Sequence, residues 1–292
     1  MSASGRHHRR LAIALALVAA FFVVEAVAAL MTGSLALLSD AGHMLTDVVG
    51  LGMALAAVRL GLRGSERPHR SFGWYRAEIL AALVNAVLLF GVAGYVLVVA
   101  AGRWADPPDL DPAPMLAVGA LGLVVACASV LLLHRGQRDS LNLRGAYLEV
   151  LADALGSLGV VTAATVLWLT GWPYADPLFA AAIGVFIVPR AWRLGRESLR
   201  VLLQAAPAHL SPEQMRHDLA LLEGVVDVHD VHAWTLTSGM EVVSAHVMVS
   251  AAADSHDVLD RASALLVERY DVEHATVQVE PEDHEGCERL TW

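Results

Sequence analysis

Residues 35–54 read LALLSDAGHMLTDVVGLGMA, an apolar run interrupted by Asp40, His43 and Asp47. Without those three side chains the segment would be an ordinary membrane-crossing helix. An ionisable group at mid-bilayer costs roughly 3 kcal/mol or more, so such groups face a cavity or a partner instead of lipid. Three within eight positions predict a polar interior inside a membrane bundle. The composition agrees. Of 292 residues, 56 % are hydrophobic and only 17 % charged, with a mean hydropathy of +0.54. That balance is too apolar for a soluble domain and fits a membrane protein with a water-exposed part.

Outward from this stretch, six segments reach the ~20 residues that cross a bilayer. They lie at about 11–31, 35–60, 77–101, 114–134, 144–170 and 175–194, within a transmembrane domain covering 1–204. The first is too long for a signal-peptide core and has no convincing cleavage site, so it counts as a span. Arginines sort the connections by side. Arg6, Arg9 and Arg10 precede the first span, and Arg59, Arg63, Arg67, Arg70 and Arg76 lie between the second and third. Arg135, Arg138 and Arg144 follow the fourth, and Arg190, Arg193, Arg196 and Arg200 mark the exit from the sixth. The alternate loops, MTGS, ADPPDLDPAP and GWPYADP, hold no arginine. By the positive-inside rule both termini are expected in the cytoplasm.

Residues 205–292 are predicted to form a cytoplasmic domain of α+β type. Helix 212–222, strand 225–236, strand 241–250, helix 254–270 and strand 274–281 give the order αββαβ, a ferredoxin-like arrangement. The turn TSGM joins the two central strands. The formal net charge of −10 excludes nucleic acid as an expected partner, because the acidic excess sits largely in this part. Cys127 and Cys287 cannot make a disulfide framework.

The fifth span repeats the theme of the second. In YLEVLADALGSLG, Glu149 and Asp153 stand at i and i+4, like His43 and Asp47, so each pair projects from one helix face. Aligning HMLTDVVG with EVLADALG matches acid to acid and Gly50 to Gly156. Gly50, Gly52, Gly156, Ser157 and Gly159 would let two such helices approach closely. One imidazole and three carboxylates at one depth suit the tetrahedral preference of Zn²⁺. Helix packing alone needs no acids, so two aligned polar pairs point to a cation.

SLALLSDAGHMLTD, SFGWYRAEILAALVNA, NLRGAYLEVLADALGSLG and VHDVHAWTLTSGMEVVSAHVMV resemble the cation diffusion facilitator family of metal transporters, of the zinc-exporter type, across essentially the whole chain. The resemblance implies a homodimeric carrier, not an enzyme, in the inner or plasma membrane of a bacterium. It would export a divalent cation, Zn²⁺ first and Cd²⁺, Co²⁺, Fe²⁺ or Mn²⁺ as alternatives, in exchange for protons, with no bound cofactor. His43, Asp47 and Asp153 match the family's ligands between the second and fifth spans. Glu149 departs from it, since zinc-exporting relatives have histidine there. A carboxylate in place of that nitrogen favours harder ions such as Mn²⁺, Fe²⁺ or Co²⁺. A membrane metal sensor is another reading, but no output module follows residue 200. ATP-driven pumping has no GxxxxGK[ST] loop to support it.

Other polar residues carry less. Asp40 lies one turn before His43 and would line the approach to it or serve helix packing. Glu25 and Asn85 read as hydrogen-bonding partners inside the bundle. His69 in RPHRSFGW reads as a solvated histidine, although some relatives bind a second ion in that loop. The fourth-to-fifth loop holds only His134, so it has no histidine-rich metal trap. Eight of the 13 histidines lie beyond residue 205. Strand alternation puts Val243, Ala245, Val247 and Val249 on one face and His246 on the other. The same reasoning pairs Val226 with Val228, and Asp227 with His229; in the last strand it turns Gln278 and Glu280 away from the core. His229, His246 and Glu280 can therefore share a face, where the resemblance implies regulatory metal ligands, with His232 a spare candidate. A plain solvated sheet face is the alternative.

Overall fold

The computed structural model describes residues 3–62, 72–134 and 141–283. His69, His284 and Cys287 lie outside them, as do Arg63, Arg67, Arg70, Arg135 and Arg138. The described residues form α1 (Ala3–Thr32), α2 (Leu35–Leu62), α3 (Arg76–Arg103), α4 (Pro112–His134), α5 (Leu141–Thr170) and α6 (Ala175–Leu202). The smaller elements follow as α7 (Pro212–Ala220), β1 (Val225–Thr237), β2 (Met240–Val249), α8 (Ser255–Tyr270) and β3 (His274–Pro281). Four helices among the described residues, 76–103, 112–134, 147–170 and 175–202, are long and apolar enough to cross a membrane. The chain divides into two compact units, residues 1–55 with 84–195 and residues 56–83 with 196–292. That division runs through α2, α3 and α6.

In the first unit the core is built from Leu35, Leu37, Leu89, Met115 and Val160, with no exposed surface to speak of. Small residues set the helix spacing. A Cβ on Gly156 of α5 would sit 2.1 Å from Asp40 Oδ1 on α2, and one on Gly42 would meet Val92 Cγ1 at 2.7 Å. The start of α2 is held from far along the chain. Asp176, fully buried in the first turn of α6, accepts from Ser34 Oγ at 2.6 Å, Leu35 N at 2.8 Å and Ala36 N at 3.0 Å. Arg103 Nη1, 3.1 Å away, balances its charge. The first N–H groups of a helix have no partner within it, and here a carboxylate from another helix supplies one.

In the second unit β2 lies between β1 and β3, antiparallel to β1 and parallel to β3. Val243, Ala245 and Val247 are fully buried against α8 and α7 through Val258, Ala262, Leu266, Leu219 and Met215. Strand alternation succeeds for β2 and fails at the start of β1. A register shift between Val225 and Asp227 turns Val226 outward, 55 % exposed, while Val228 stays buried. An extra residue in one strand reverses the facing of what precedes it. Asp254 caps α8 by accepting from His256 N, and Asp271 ends it in the left-handed conformation at φ 57°. Asp218 accepts from Tyr270 Oη, from Gln214 Nε2 at 3.0 Å and from Arg269 Nε at 3.1 Å. The Tyr270 hydrogen bond holds the Asp218 carboxyl below the usual carboxylate range. Burial, then that same bond, pushes the Tyr270 phenol up to about 12. The β1–β2 turn is clasped by the first turn of α3, where Glu78 accepts from Thr237 Oγ1 at 2.6 Å and Ser238 Oγ at 3.1 Å.

Candidate metal centre

His43 and Asp47 sit one turn apart on α2, and the structure brings Glu149 and Asp153 of α5 to meet them. Ligand atoms of His43, Asp47 and Glu149 all lie within 4.8 Å of one another. His43 Nε2 is 3.6 Å from Asp47 Oδ2 and 3.8 Å from Asp153 Oδ1. His43 and Asp153 are buried, whereas a third of the Glu149 side chain reaches the surface. The ligand atoms of His43, Asp47 and Glu149 are spaced so that one ion could bridge them, since metal–oxygen and metal–nitrogen bonds run about 2.0–2.2 Å, with Asp153 beside His43.

A fifth residue enters the cluster. Arg190 Nη2 lies 3.1 Å from Asp47 Oδ1, Nη1 lies 3.3 Å from His43 Nε2, and the guanidinium also pairs with Glu149. The sequence reading counted Arg190 among the arginines of the cytoplasmic exit. α6 runs from Ala175 to Leu202, and from within it the long Arg190 side chain turns to the carboxylates. A guanidinium can only donate hydrogen bonds. His43 Nε2 is therefore the acceptor, and the neutral ring carries its proton on Nδ1, which has no partner among the described residues.

Asp40 lies deeper, fully buried, with Ser157 Oγ donating to its Oδ2 at 3.2 Å. Glu25 of α1 is equally buried and faces Asp40, the two carboxyl groups set against each other. Asn85 is also buried, and its Oδ1 has no partner among the described residues.

The smaller unit assembles its own cluster from strands. His229 stands directly opposite His246, and their rings are 5.3 Å apart. Glu280 of β3 is 3 % exposed; its Oε1 is 2.7 Å from His246 Nδ1 and its Oε2 is 3.6 Å from His229 Nε2. Ligand atoms of the three fall within 4.8 Å of one another. His232 does not join them. It faces Asp230, with Nε2 and Oδ1 2.8 Å apart, and Asp230 Oδ2 is 3.9 Å from His246 Nε2. Asp230 is not among the residues that strand alternation singles out. It occupies a second register shift, between His229 and His232, with φ 51°. An aspartate between histidines in a strand was the available signal, because Asp tolerates that backbone region better than most residues.

A family model described as the cation efflux transmembrane domain matches residues 11–203, and one described as the cation efflux protein cytoplasmic domain matches residues 207–282. The chain is 43 % identical over 277 residues to the metal cation efflux system protein CzcD of Cupriavidus metallidurans, covering 94 % of this chain and 87 % of that protein. It is 33 % identical over 287 residues to the cadmium, cobalt and zinc/H(+)-K(+) antiporter of Bacillus velezensis, covering 97 % and 91 %. Against the zinc transporter ZitB of Escherichia coli it is 38 % identical over 274 residues, covering 93 % and 87 %.

Proposed function

The chain belongs to the cation efflux family of membrane transporters, and on that premise we propose that it exports a divalent metal cation, Zn²⁺ foremost, in exchange for protons. The observation that carries this reading is the convergence of His43, Asp47 and Glu149 ligand atoms within 4.8 Å, with Asp153 beside them. In this reading residues 1–204 form the carrier, six helices cross the bilayer, and the arginine-rich connections and both termini face the cytoplasm. Residues 205–292 form the ferredoxin-like cytoplasmic part, through which two copies pair. Metal ligands must be deprotonated, so an arriving cation displaces protons from the carboxylates. The names of two relatives, a cadmium, cobalt and zinc/H(+)-K(+) antiporter and a zinc transporter, support a divalent cargo, and the first supports exchange in which protons take part with K⁺.

Glu149 favours a second reading of the cargo. It stands with His43 and Asp47 in the cluster, and one nitrogen with three carboxylates suits harder ions than two nitrogens with two carboxylates. Uptake into proteoliposomes, comparing Zn²⁺, Cd²⁺, Co²⁺, Fe²⁺ and Mn²⁺ under an imposed pH gradient, tests both. The expected result is uptake of Zn²⁺ with opposite proton movement. Uptake that continues unchanged when the gradient is collapsed, with no proton movement, would remove the exchange; a preference for Mn²⁺ would transfer the cargo to the harder ions.

A further inference from the structure

We propose that Arg190 is a tethered cation that competes with the transported metal for the lone pairs of Asp47, Glu149 and His43, and so sets how readily the ion is released. The inference rests on reading that cluster as the transport site and assigns a role to a residue from a third helix. Arg190 engages Asp47 Oδ1 at 3.1 Å, His43 Nε2 at 3.3 Å and the Glu149 carboxylate. Those are atoms that would bind the ion. A lone pair on Nε2 that accepts from a guanidinium cannot at the same moment coordinate a metal. The two arrangements therefore exclude each other at His43, and at the carboxylates they compete for the same charge.

Chemistry favours arginine for this task. The guanidinium keeps its charge at any physiological pH, offers no lone pair of its own, and matches two carboxylates with a planar fork. It cannot act as a ligand, so its presence never adds to the metal's affinity. It offers the carboxylates a positive partner when the metal has gone, inside a bundle where unpaired charge is costly. Without that partner, protons alone would compensate the carboxylates after release. About a third of the side chain is exposed, so packing leaves it space to turn away from the ligands. Pro189, just before it, has no N–H to give the carbonyl of Val185, which loosens the helix at that turn. Asp153 meets His43 but forms no pair with Arg190 among the described residues, so it is the ligand that can hold the ion while the others change partners.

The test uses the full-length chain with His229→Ala and His246→Ala in every sample, so that Zn²⁺ titrations read the membrane cluster. Arg190→Gln removes the competitor, and Arg190→Lys keeps the charge as a single point without the fork. Competition predicts a Zn²⁺ Kd lowered tenfold or more in Arg190→Gln. In proteoliposomes KM and kcat should fall together, because the ion binds more firmly and leaves more slowly. Arg190→Lys, the safer variant for folding, should lie between wild type and Arg190→Gln. A merely structural role would weaken binding and raise KM instead, and that result, or an unchanged Kd in both variants, overturns the proposal. Asp47→Ala in the same series separates the two levels. If it abolishes Zn²⁺ binding while the Arg190 variants fail to tighten it, the transport site stands and only the competitor is wrong. If Asp47→Ala binds like wild type, the site itself is wrong and the competitor falls with it.

Discussion

The molecule builds a cluster of histidine and carboxylates twice, once between helices and once across strands, and the two differ in how they meet the cost of charge. Between α2 and α5 the imidazole of His43 is 7 % exposed and the carboxylates have an arginine among them. Across β1, β2 and β3, water reaches His229 and His246, 22 % and 26 % exposed, while the single carboxylate, Glu280, is buried between them and has the two imidazoles as its partners. Where solvent can hydrate a charge, a cluster can stand empty at little cost; where it cannot, the fold has to bring a partner of its own. The helical cluster therefore needs more of the structure to exist, and changes to it should have larger effects.

The sharpest way to break this contrast is to remove a carboxylate from either helix of the membrane cluster. Asp47→Ala or Asp153→Ala should abolish metal transport, falling a hundredfold or more in a vesicle uptake assay, since each removes a ligand and unbalances the charges opposite it. Retained uptake in both would move the site elsewhere.

Next in size is a change that touches no ligand. Asp176→Ala removes the cap of α2 and leaves Arg103 without its buried partner, a loss of about 3–5 kcal/mol by analogy with other broken buried pairs. Thermal unfolding of the full chain in micelles should show a lower transition with Zn²⁺ absent and present alike. An unchanged transition would mean that water replaces the carboxylate at the helix start, and the helical unit would be less dependent on internal partners than the contrast requires.

The cargo itself gives a smaller, directional effect. Glu149→His should shift selectivity toward Zn²⁺ over Mn²⁺ and Fe²⁺, by roughly tenfold, because a nitrogen donor replaces a hard oxygen. A competition series on both proteins in the same vesicles reads it. The same metal ranking in both would remove Glu149 from the ligands, and Asp40 would be the first replacement to try.

On the strand side the effects should be milder for transport and clear for binding. His246→Ala should remove Zn²⁺-dependent stabilisation of the fragment 205–292 while changing transport by no more than a few-fold. A transport loss as large as that of Asp47→Ala would erase the distinction between the clusters.

The mildest prediction is one of pH. Because the Tyr270 hydrogen bond depresses the folded pKa of Asp218, it contributes stability that is present above the unfolded value and lost as pH falls through the folded one. Tyr270→Phe should therefore destabilise the fragment at pH 7 and converge with wild type in acid. On the alkaline side Tyr270, raised to about 12, contributes stability below its unfolded value that is lost as pH rises through about 12. Denaturation curves across pH would show a constant gap instead if the bond mattered only through packing.

Some of this was legible in the sequence by itself. The 3.6-residue period makes His43 and Asp47, and likewise Glu149 and Asp153, face one way whatever surrounds them, so each pair could be read from spacing alone. Apolar length located the long helices: those expected at 114–134 and 144–170 were found at Pro112–His134 and Leu141–Thr170. Alternation in β2 predicted the buried face of Val243, Ala245, Val247 and Val249 correctly. Only the tertiary structure decided the rest. Arg190 has four rotatable bonds and a charge that reads equally well as a cytoplasmic marker; which helix face it joins depends on where α6 lies beside α2 and α5. Asp176 caps a helix some 140 positions away, a contact with no local trace. The register shifts that expose Val226 and bring Asp230 beside His232 depend on pairing with β2. Local periodicity determines which side chains share a face, because it follows from bond geometry within one segment. Which faces then meet is decided by packing between segments, and there one extra residue or one long side chain is enough to change the answer.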